Sequence, residues 1–133
     1  MKMFICTDKN GGTAFADRRQ SSDSAVRKKI FEITGGKPLY LNSYSAQQFE
    51  DKSGLIISED FISNMHKGDF CFAENTCPDL SLFDELYIFN WNRNYPADKY
   101  FEPAPAFKRV KSEKFTGTSH DKITLTVYRR EAK

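Results

Sequence analysis

Residues 23–41 read DSAVRKKIFEITGGKPLYL, in which a helix signal is followed directly by a strand signal. Asp23 is a favourable N-cap because its carboxylate can accept hydrogen bonds from the free N–H groups of the first turn. Apolar residues then recur at the spacing of one helical face. A glycine pair beginning at Gly35 ends the helix, since glycine adopts the left-handed cap conformation at little cost. The stretch therefore predicts an amphipathic helix and then a short buried strand at residues 39–41.

Short apolar runs on both sides of this stretch predict the remaining strands. In the first two thirds of the chain they alternate with short helix signals, which favours parallel strands joined by helical crossovers. The last two runs have no helix between them and predict an antiparallel hairpin. The chain has 133 residues without repeat or linker, so we predict one domain over residues 1–133. The predicted strands are residues 3–7, 39–41, 55–57, 70–73, 85–91, 107–110 and 123–129; the predicted short helices are 43–49 and 59–65; residues 18–22 are predicted to be irregular.

Composition and charge argue against several classes of function. The net charge is +2 and the pI is about 8.4, too mild to indicate a nucleic-acid partner. The apolar runs are too short to cross a bilayer. The first residues reach Asp8 and Lys9 too early for a secretory signal, and three cysteines do not make a disulfide framework. We therefore expect a cytoplasmic protein without a membrane partner, and the charge does not favour a nucleic-acid partner.

The sequence signatures of common catalytic sites are absent. Only two histidines, His66 and His120, are present, and no Cys-x-x-Cys pair exists, so no metal site is predicted. The chain has no Gly-x-Ser-x-Gly elbow, no phosphate-binding loop of the Walker type and no Gly-x-Gly-x-x-Gly fingerprint. A serine or cysteine hydrolase stays open, because the residues of such a site need not be close in sequence.

Several landmarks, taken in order along the chain, are similar to those of one known family. They are a first strand with a glycine-containing loop, a helix, a strand begun by Lys-Pro, an Ile-Ile-Ser strand, a Leu-Tyr-Ile strand with a following Asp-x-x-Phe segment, and a final hairpin. On these grounds the chain resembles the dihydrofolate reductases along almost its whole length. The resemblance implies a three-layer α/β sandwich with flanking helices, a mixed, mostly parallel central sheet and an antiparallel C-terminal hairpin. The landmarks are residues 8–15, 23–33, 37–41, 55–58, 86–101 and 107–130.

In that family one essential acid lies at the start of this helix, and the matching residue here is Asp23. The resemblance implies that its carboxylate holds a pterin or a similar heteroaromatic ring by paired hydrogen bonds and assists its protonation before hydride transfer. The other interpretation is that Asp23 only caps the helix. The resemblance implies a substrate pocket lined by Cys6, Phe15, Asp23, Val26, Arg27 and Ile30.

The resemblance also implies NADPH as the hydride donor, but two stretches depart from the family pattern. A Gly-Gly pair after the central strand is replaced here by Glu74-Asn75, which places a carboxylate and two side chains where a pyrophosphate would approach the backbone. A Gly-Arg-x-Thr stretch is replaced by Asn-Ser-Tyr-Ser at residues 42–45. We therefore predict a degenerate NADPH site. Its matching positions are Gly11, Gly12, Ser45, Ser58, Glu74 and Asn75.

Three functions follow from these observations. The first is a module on the dihydrofolate reductase fold that binds a small ligand or a protein partner. The alternative is an NADPH-dependent reductase of a pterin or a related ring, with Asp23 as the acid. The second alternative is a nucleic-acid-associated or hydrolytic protein that uses Arg18-Arg19, the aromatic segment around Trp91, and His120.

Overall fold

The computed structural model describes residues 1–131, which form a seven-stranded sheet, a three-stranded sheet and three α-helices. The large sheet has the strand order β5-β4-β6-β1-β7-β10-β9, and the small sheet has the order β3-β2-β8. The strands are β1 Lys2–Thr7, β2 Gly12–Phe15, β3 Arg18–Arg19, β4 Leu39–Leu41, β5 Leu55–Ile57, β6 Phe70–Ala73, β7 Glu85–Asn90, β8 Lys99–Tyr100, β9 Phe107–Phe115 and β10 Ile123–Arg130; the helices are α1 Ser24–Thr34, α2 Ser43–Ala46 and α3 Phe61–Asn64.

The pairing of the large sheet follows the predicted pattern. β1 lies near the centre and pairs in parallel with both β6 and β7, and β4 pairs in parallel with β5 and β6. β10 pairs antiparallel with β7 and β9, which gives the C-terminal hairpin. All four residues of β6 are buried, as expected for a central strand covered on both faces. The predicted α/β fold, with a mostly parallel sheet and an antiparallel hairpin, is confirmed.

Two apolar clusters pack on opposite faces of the large sheet and give the three layers. One contains Val26 and Ile30 of α1 together with Phe4 and Phe89 of the sheet. The other contains Phe61 of α3 and the sheet residues that point the opposite way. Because alternate strand residues face opposite layers, Phe4 and the residue that follows it in β1 pack in different clusters. We call the first side of the sheet the α1 face.

Helix α1 begins and ends as the sequence predicts. The carboxylate of Asp23 accepts a hydrogen bond from the backbone N–H of Ala25 at 2.8 Å. Gly35 has a left-handed conformation, with φ of 59°, and its N–H donates to the carbonyl of Phe31. The helix thus presents Val26 and Ile30 to the sheet and leaves its N-terminal end beside the carboxyl end of β1.

Several boundaries differ from the predictions. The sequence predicts an irregular segment at residues 18–19, but they form β3, joined to β2 by a two-residue turn in which Ala16 and Asp17 both have positive φ. This is the type I′ geometry that matches the twist of a hairpin. β9 runs to Phe115 rather than 110, and α2 ends at Ala46 rather than 49. Within residues 1–131 no helix is long and apolar enough to cross a membrane.

Candidate functional site

Asp23 is the centre of a buried polar network at the N-terminus of α1. The residue is 3% exposed, and its two carboxylate oxygens accept hydrogen bonds from five donors. Oδ1 accepts from the backbone N–H groups of Ala25 and Thr118, both at 2.8 Å. Oδ2 accepts from the N–H of Ser119 at 2.9 Å, from the Ser119 hydroxyl at 3.2 Å and from Nδ1 of His120 at 2.9 Å. Four of the five bonds therefore come from the turn between β9 and β10.

His120 is the imidazole that meets this carboxylate, and it is itself 3% exposed. Its ring stacks on Trp91 with a centroid distance of 4.5 Å and an interplanar angle of 22°. Nε2, on the other side of the ring, lies 3.0 Å from Oγ of Ser21 and 3.1 Å from the hydroxyl of Tyr95. Because the ionised carboxylate only accepts, Nδ1 carries a proton, and in the neutral form of the ring Nε2 is the acceptor for the two hydroxyls.

A glycine permits this close packing. A Cβ at Gly117 would lie 2.5 Å from Oδ2 of Asp23 and 2.8 Å from the carbonyl oxygen of His120. Both distances are far shorter than a van der Waals contact, so any side chain here would push the turn away from the helix. The hydrogen bond from the N–H of Gly117 to the carbonyl of His120, at 2.9 Å, closes the same turn.

The network changes the acidity of Asp23. Burial by itself would raise the pKa of this carboxyl, but the hydrogen bonds from Thr118, His120, Ser119 and Ala25 together hold the pKa well below its usual value. The carboxylate is thus ionised at neutral pH. Both of its oxygens are directed at donors of the chain itself.

A second polar cluster lies at the carboxyl ends of the parallel strands, where open α/β sheets bind their ligands. Glu74 directly follows β6 and is only 6% exposed. Its carboxylate accepts from Nε of Arg19 at 3.0 and 3.2 Å. The Arg19 guanidinium also stacks on the ring of Tyr44, 4.3 Å from the centroid, and donates to the carbonyl of Tyr44 at 3.1 Å. We call Arg19, Tyr44 and Glu74 the edge cluster.

Polar contacts fasten the β2–β3 hairpin over this edge. The side-chain amide of Asn75 donates to the carbonyl of Asp17 at 3.2 Å, and its oxygen accepts from the amide of Asn42 at the same distance. Lys99 donates to the carbonyl of Asn75 and pairs with Asp17, both at 3.0 Å. The hairpin that carries Arg19 is therefore held against the ends of β4 and β6.

Comparison with solved structures identifies this architecture. The chain is similar to the dihydrofolate reductase from Enterococcus faecalis complexed with NADP(H) and RAB-propyl, with a TM-score of 0.63 and 12% sequence identity. The alignment covers 98% of this chain and 96% of that one. The chain has the dihydrofolate reductase fold. No model of a protein family matches the sequence, and no curated protein matches it.

Several of the predicted cofactor positions carry polar groups that are hydrogen-bonded within the chain. Besides the buried carboxylate of Glu74, the carboxylate of Glu59 accepts from the N–H of Ser43 at 2.9 Å. The side-chain oxygen of Asn42 accepts a hydrogen bond from the N–H of Ser45 at 2.9 Å, at the start of the short helix α2. The N–H groups of Ser43 and Ser45 are thus bonded to acceptors of the chain itself. The hydroxyl of Ser45 is fully buried and has no hydrogen-bond partner within residues 1–131.

The other predicted cofactor positions lie apart from one another. Gly11 and Gly12 belong to the turn after β1, where the carboxylate of Asp8 accepts from the N–H of Gly12 at 2.8 Å. Ser58 follows the edge strand β5, and its N–H donates to the carbonyl of Leu41 at 3.0 Å. These residues have local roles in turns and strand ends.

The predicted substrate residues are divided between the core and the surface. Cys6 is half-buried at the end of β1, and burial together with the nearby Glu74 raises the pKa of its thiol. Val26 and Ile30 are core residues on the α1 face, and Phe15 is 51% exposed on β2. Arg27 is half-buried and borders a shallow cavity between α1 and residues 49–51. Cys6 and Asp23 are the two polar members that the fold brings near each other.

A separate groove lies between the second half of α1 and the C-terminal hairpin, with a volume of about 490 Å³. We call it the α1–β9 groove. A β-bulge in β9 shapes it: Val127 is opposite Lys111 and Tyr128 is opposite Arg109, so Val110 is the extra residue. The bulge lets Val110 and Lys111, although adjacent in sequence, both line the groove. Leu125 and Val127 also line it, beside Lys29, Glu32, Ile33, Glu113 and Arg129.

The sequence names Arg19 and His120 as candidates for the nucleic-acid or hydrolytic alternative, but it predicts neither their contacts nor their place in the two polar clusters. In the sequence His120 is only part of an isolated His-Asp dipeptide, and it lies 97 residues from Asp23. Arg19 lies 55 residues from Glu74. No local periodicity reports such contacts. Among the described residues, no group of three or more His, Cys, Asp or Glu side chains is arranged to hold a metal ion.

Proposed function

We propose that this chain is a ligand-binding module built on the dihydrofolate reductase fold, without pterin reductase chemistry, and that its ligand occupies the α1–β9 groove. The observation that carries the proposal is the occupation of the fold's two ligand-binding positions by the chain's own side chains. His120 is hydrogen-bonded to the carboxylate of Asp23, and Arg19 donates a hydrogen bond to the carboxylate of Glu74.

Asp23 occupies the position of the acid. A carboxyl that protonates a bound ring must hold a proton near neutral pH and must direct an oxygen at the ring. The pKa of Asp23 lies well below its usual value, and both oxygens are already bonded within the chain. A heteroaromatic ring does bond to Asp23, but it is the imidazole of His120 stacked on Trp91.

Glu74 occupies the position of the cofactor. Its carboxylate is 6% exposed and stands at the position where the resemblance implies the glycines that a pyrophosphate approaches. Like charges at close range in a poorly solvated site repel strongly. The cation nearest to it, Arg19, is already committed to Glu74 and to the carbonyl of Tyr44. The edge cluster therefore leaves no cation of its own to balance the charge of NADPH at this edge.

The α1–β9 groove has the properties of a small-molecule site. Its volume of about 490 Å³ falls within the usual range for ligand pockets, roughly 300 to 1,000 Å³. Val110, Leu125 and Val127 provide apolar contact area. Among its cations, Lys29 pairs with Glu113 at 3.0 Å and Arg129 pairs with Glu85 at 2.9 Å. Lys111 has no ion-pair partner within residues 1–131, so it can receive an anionic group. A flat, apolar molecule that carries one acidic group fits these features.

The fluorescent dye 1-anilinonaphthalene-8-sulfonate is a suitable probe, because it combines apolar aromatic rings with one sulfonate. We expect saturable binding to the native chain with a fluorescence increase. Lys111→Glu should weaken this binding about tenfold or more, because it replaces the receiving cation with a repelling charge. Lys108→Glu is the matched control, since Lys108 is on the same strand but outside the groove, where it faces Glu131 at 3.9 Å. The absence of dye binding to the native chain, or equal weakening by both variants, would refute the groove as the ligand site.

A further inference from the structure

Ser21, His120 and Asp23 form a continuous hydrogen-bonded chain at the N-terminus of α1. Oγ of Ser21 lies 3.0 Å from Nε2 of His120, and Nδ1 of the same ring lies 2.9 Å from Oδ2 of Asp23. The two inner members are each 3% exposed, whereas Ser21 is only half-buried. The hydroxyl of the half-buried residue is therefore backed by a buried imidazole and a buried carboxylate. We call this arrangement the serine relay.

The chemistry of the relay follows from its proton positions. The carboxylate of Asp23 is ionised and only accepts, so it fixes the imidazole proton on Nδ1. Nε2 then offers its lone pair to the hydroxyl of Ser21. Stacking on Trp91 and the bond to Asp23 together fix the plane of the ring. This is the disposition of nucleophile, base and orienting carboxylate that serine hydrolases use on several unrelated folds.

We propose that Ser21 is an acyl-accepting nucleophile and that the serine relay hydrolyses small carboxylic esters. Oγ of Ser21 bonds to the acyl carbon while its proton passes to Nε2 of His120. The ester C–O bond then breaks, and the alcohol leaves with that proton. Water cleaves the acyl-serine in the same way, giving the carboxylic acid and restoring Ser21. Asp23 is the positioning residue that holds the ring and stabilises the imidazolium.

Tyr95 modulates the relay because its hydroxyl also lies within 3.1 Å of Nε2. The nitrogen has one lone pair, and two hydroxyls are in reach of it. When Tyr95 donates, the Ser21 hydroxyl is not activated. Removal of the tyrosine hydroxyl should therefore leave Nε2 to Ser21 and raise its reactivity.

This activity is independent of the binding proposed for the α1–β9 groove. The groove is lined by Lys29, Glu32 and Ile33 of α1 and by the C-terminal hairpin, and it includes no member of the serine relay. Failure of dye binding in the groove would leave the serine relay untouched, and failure of the relay would leave the groove untouched.

The test is covalent labelling of the native chain with a fluorophosphonate, followed by mass mapping. In this step a Ser Oγ–P bond forms, the P–F bond breaks, and the hydroxyl proton leaves with fluoride as HF. We expect one label, on Ser21, that is absent in Ser21→Ala and unchanged in Ser22→Ala, the matched control at the adjacent serine. Labelling of Ser22 or Ser119 at the same rate as Ser21, or no label at all, would overturn the proposal.

Two further variants test the roles of the rings. His120→Gln, shown to be folded by its thermal transition, should label at least about a hundredfold more slowly, the usual contribution of a general base. Tyr95→Phe should label about twofold faster, the gain expected when two hydroxyls at similar distances share the one lone pair of Nε2 equally. A folded His120→Gln that labels at the native rate would overturn the assignment of the base. A Tyr95→Phe variant that labels more slowly than the native chain would overturn the proposal that the two hydroxyls compete for Nε2. This outcome does not depend on whether His120→Gln folds.

Discussion

Asp23 and His120, which are 97 residues apart, share a 2.9 Å hydrogen bond in which both side chains are almost completely buried. The bond joins the first turn of α1 to the turn between β9 and β10. It thus ties the earliest helix to the last hairpin of the chain. The same carboxylate also caps α1, so one side chain stabilises a helix end and a long-range contact together.

Asp23→Asn should lower the free energy of unfolding by about 2–4 kcal/mol. The variant removes a buried acceptor that serves five donors, and an amide nitrogen would face donors that need an acceptor. Urea unfolding followed by the fluorescence of Trp91, the chain's one tryptophan, measures this change. Asp121→Asn, next to His120 but exposed, is the matched control and should change stability little.

Comparison of the native chain with Asp23→Asn also tests how the stability depends on pH. The pKa of Asp23 is lowered in the folded chain, so its stabilisation is complete above the unfolded value of about 3.9 and is lost as the pH falls toward the folded value. The stability difference between the native chain and Asp23→Asn should therefore shrink between about pH 5 and pH 3. A difference that stays constant over this range would contradict the ionised network. The pKa of Asp8 is lowered as well, so the free energy of unfolding of Asp23→Asn should still decrease in acid.

Gly117→Ala should destabilise the chain by about 1–3 kcal/mol, as expected when a methyl group is forced into a packed site. The new Cβ would lie 2.5 Å from Oδ2 of Asp23 and 2.8 Å from Cδ1 of Ile123. Gly54→Ala is the control, because its Cβ would meet only Phe31 at an ordinary 3.5 Å. Thermal unfolding compares the two. Equal loss of stability in both variants would mean that the approach of the turn to Asp23 is not tight.

Glu74→Gln should destabilise the chain by about 1–3 kcal/mol, since it leaves the Arg19 guanidinium without its carboxylate in a mostly buried position. Glu102→Gln, at an exposed site, should leave the melting temperature unchanged. If Glu74→Gln were instead as stable as the native chain, the edge cluster would not hold the β2–β3 hairpin over the strand ends.

The architecture could be predicted from the sequence because its signals are local. The alternation of Ile123, Leu125 and Val127 with polar neighbours gives β10, and Asp23 with Gly35 gives both ends of α1. These patterns depend on residues a few positions apart. The order of strands and helices then limits the topology, which explains how a fold shared at only 12% identity could be recognised.

The candidate site could not be predicted in the same way, because its contacts join distant segments. The sequence predicts Asp23 as a cap or as an acid, and its capping role is confirmed. The sequence names His120 only as a candidate for the hydrolytic alternative, because its contact with Asp23, 97 residues away, depends on the fold. Residues 18–19 give no strand signal, because a two-residue strand has no periodicity. The bulge at Val110 likewise depends on pairing between β9 and β10 rather than on its own sequence.

The most direct measurement is a thermal-unfolding titration of the native chain with NADPH, dihydrofolate and both together. A ligand at a hundred times its Kd stabilises a protein by about 2.7 kcal/mol, which would raise the Tm of a domain of this size by about 10 °C. Because the carboxylates of Asp23 and Glu74 are already bonded to His120 and Arg19, we predict no rise in Tm with NADPH, with dihydrofolate or with both. A rise with NADPH, accompanied by NADPH oxidation when dihydrofolate is added, would contradict the proposal that this chain lacks pterin reductase chemistry.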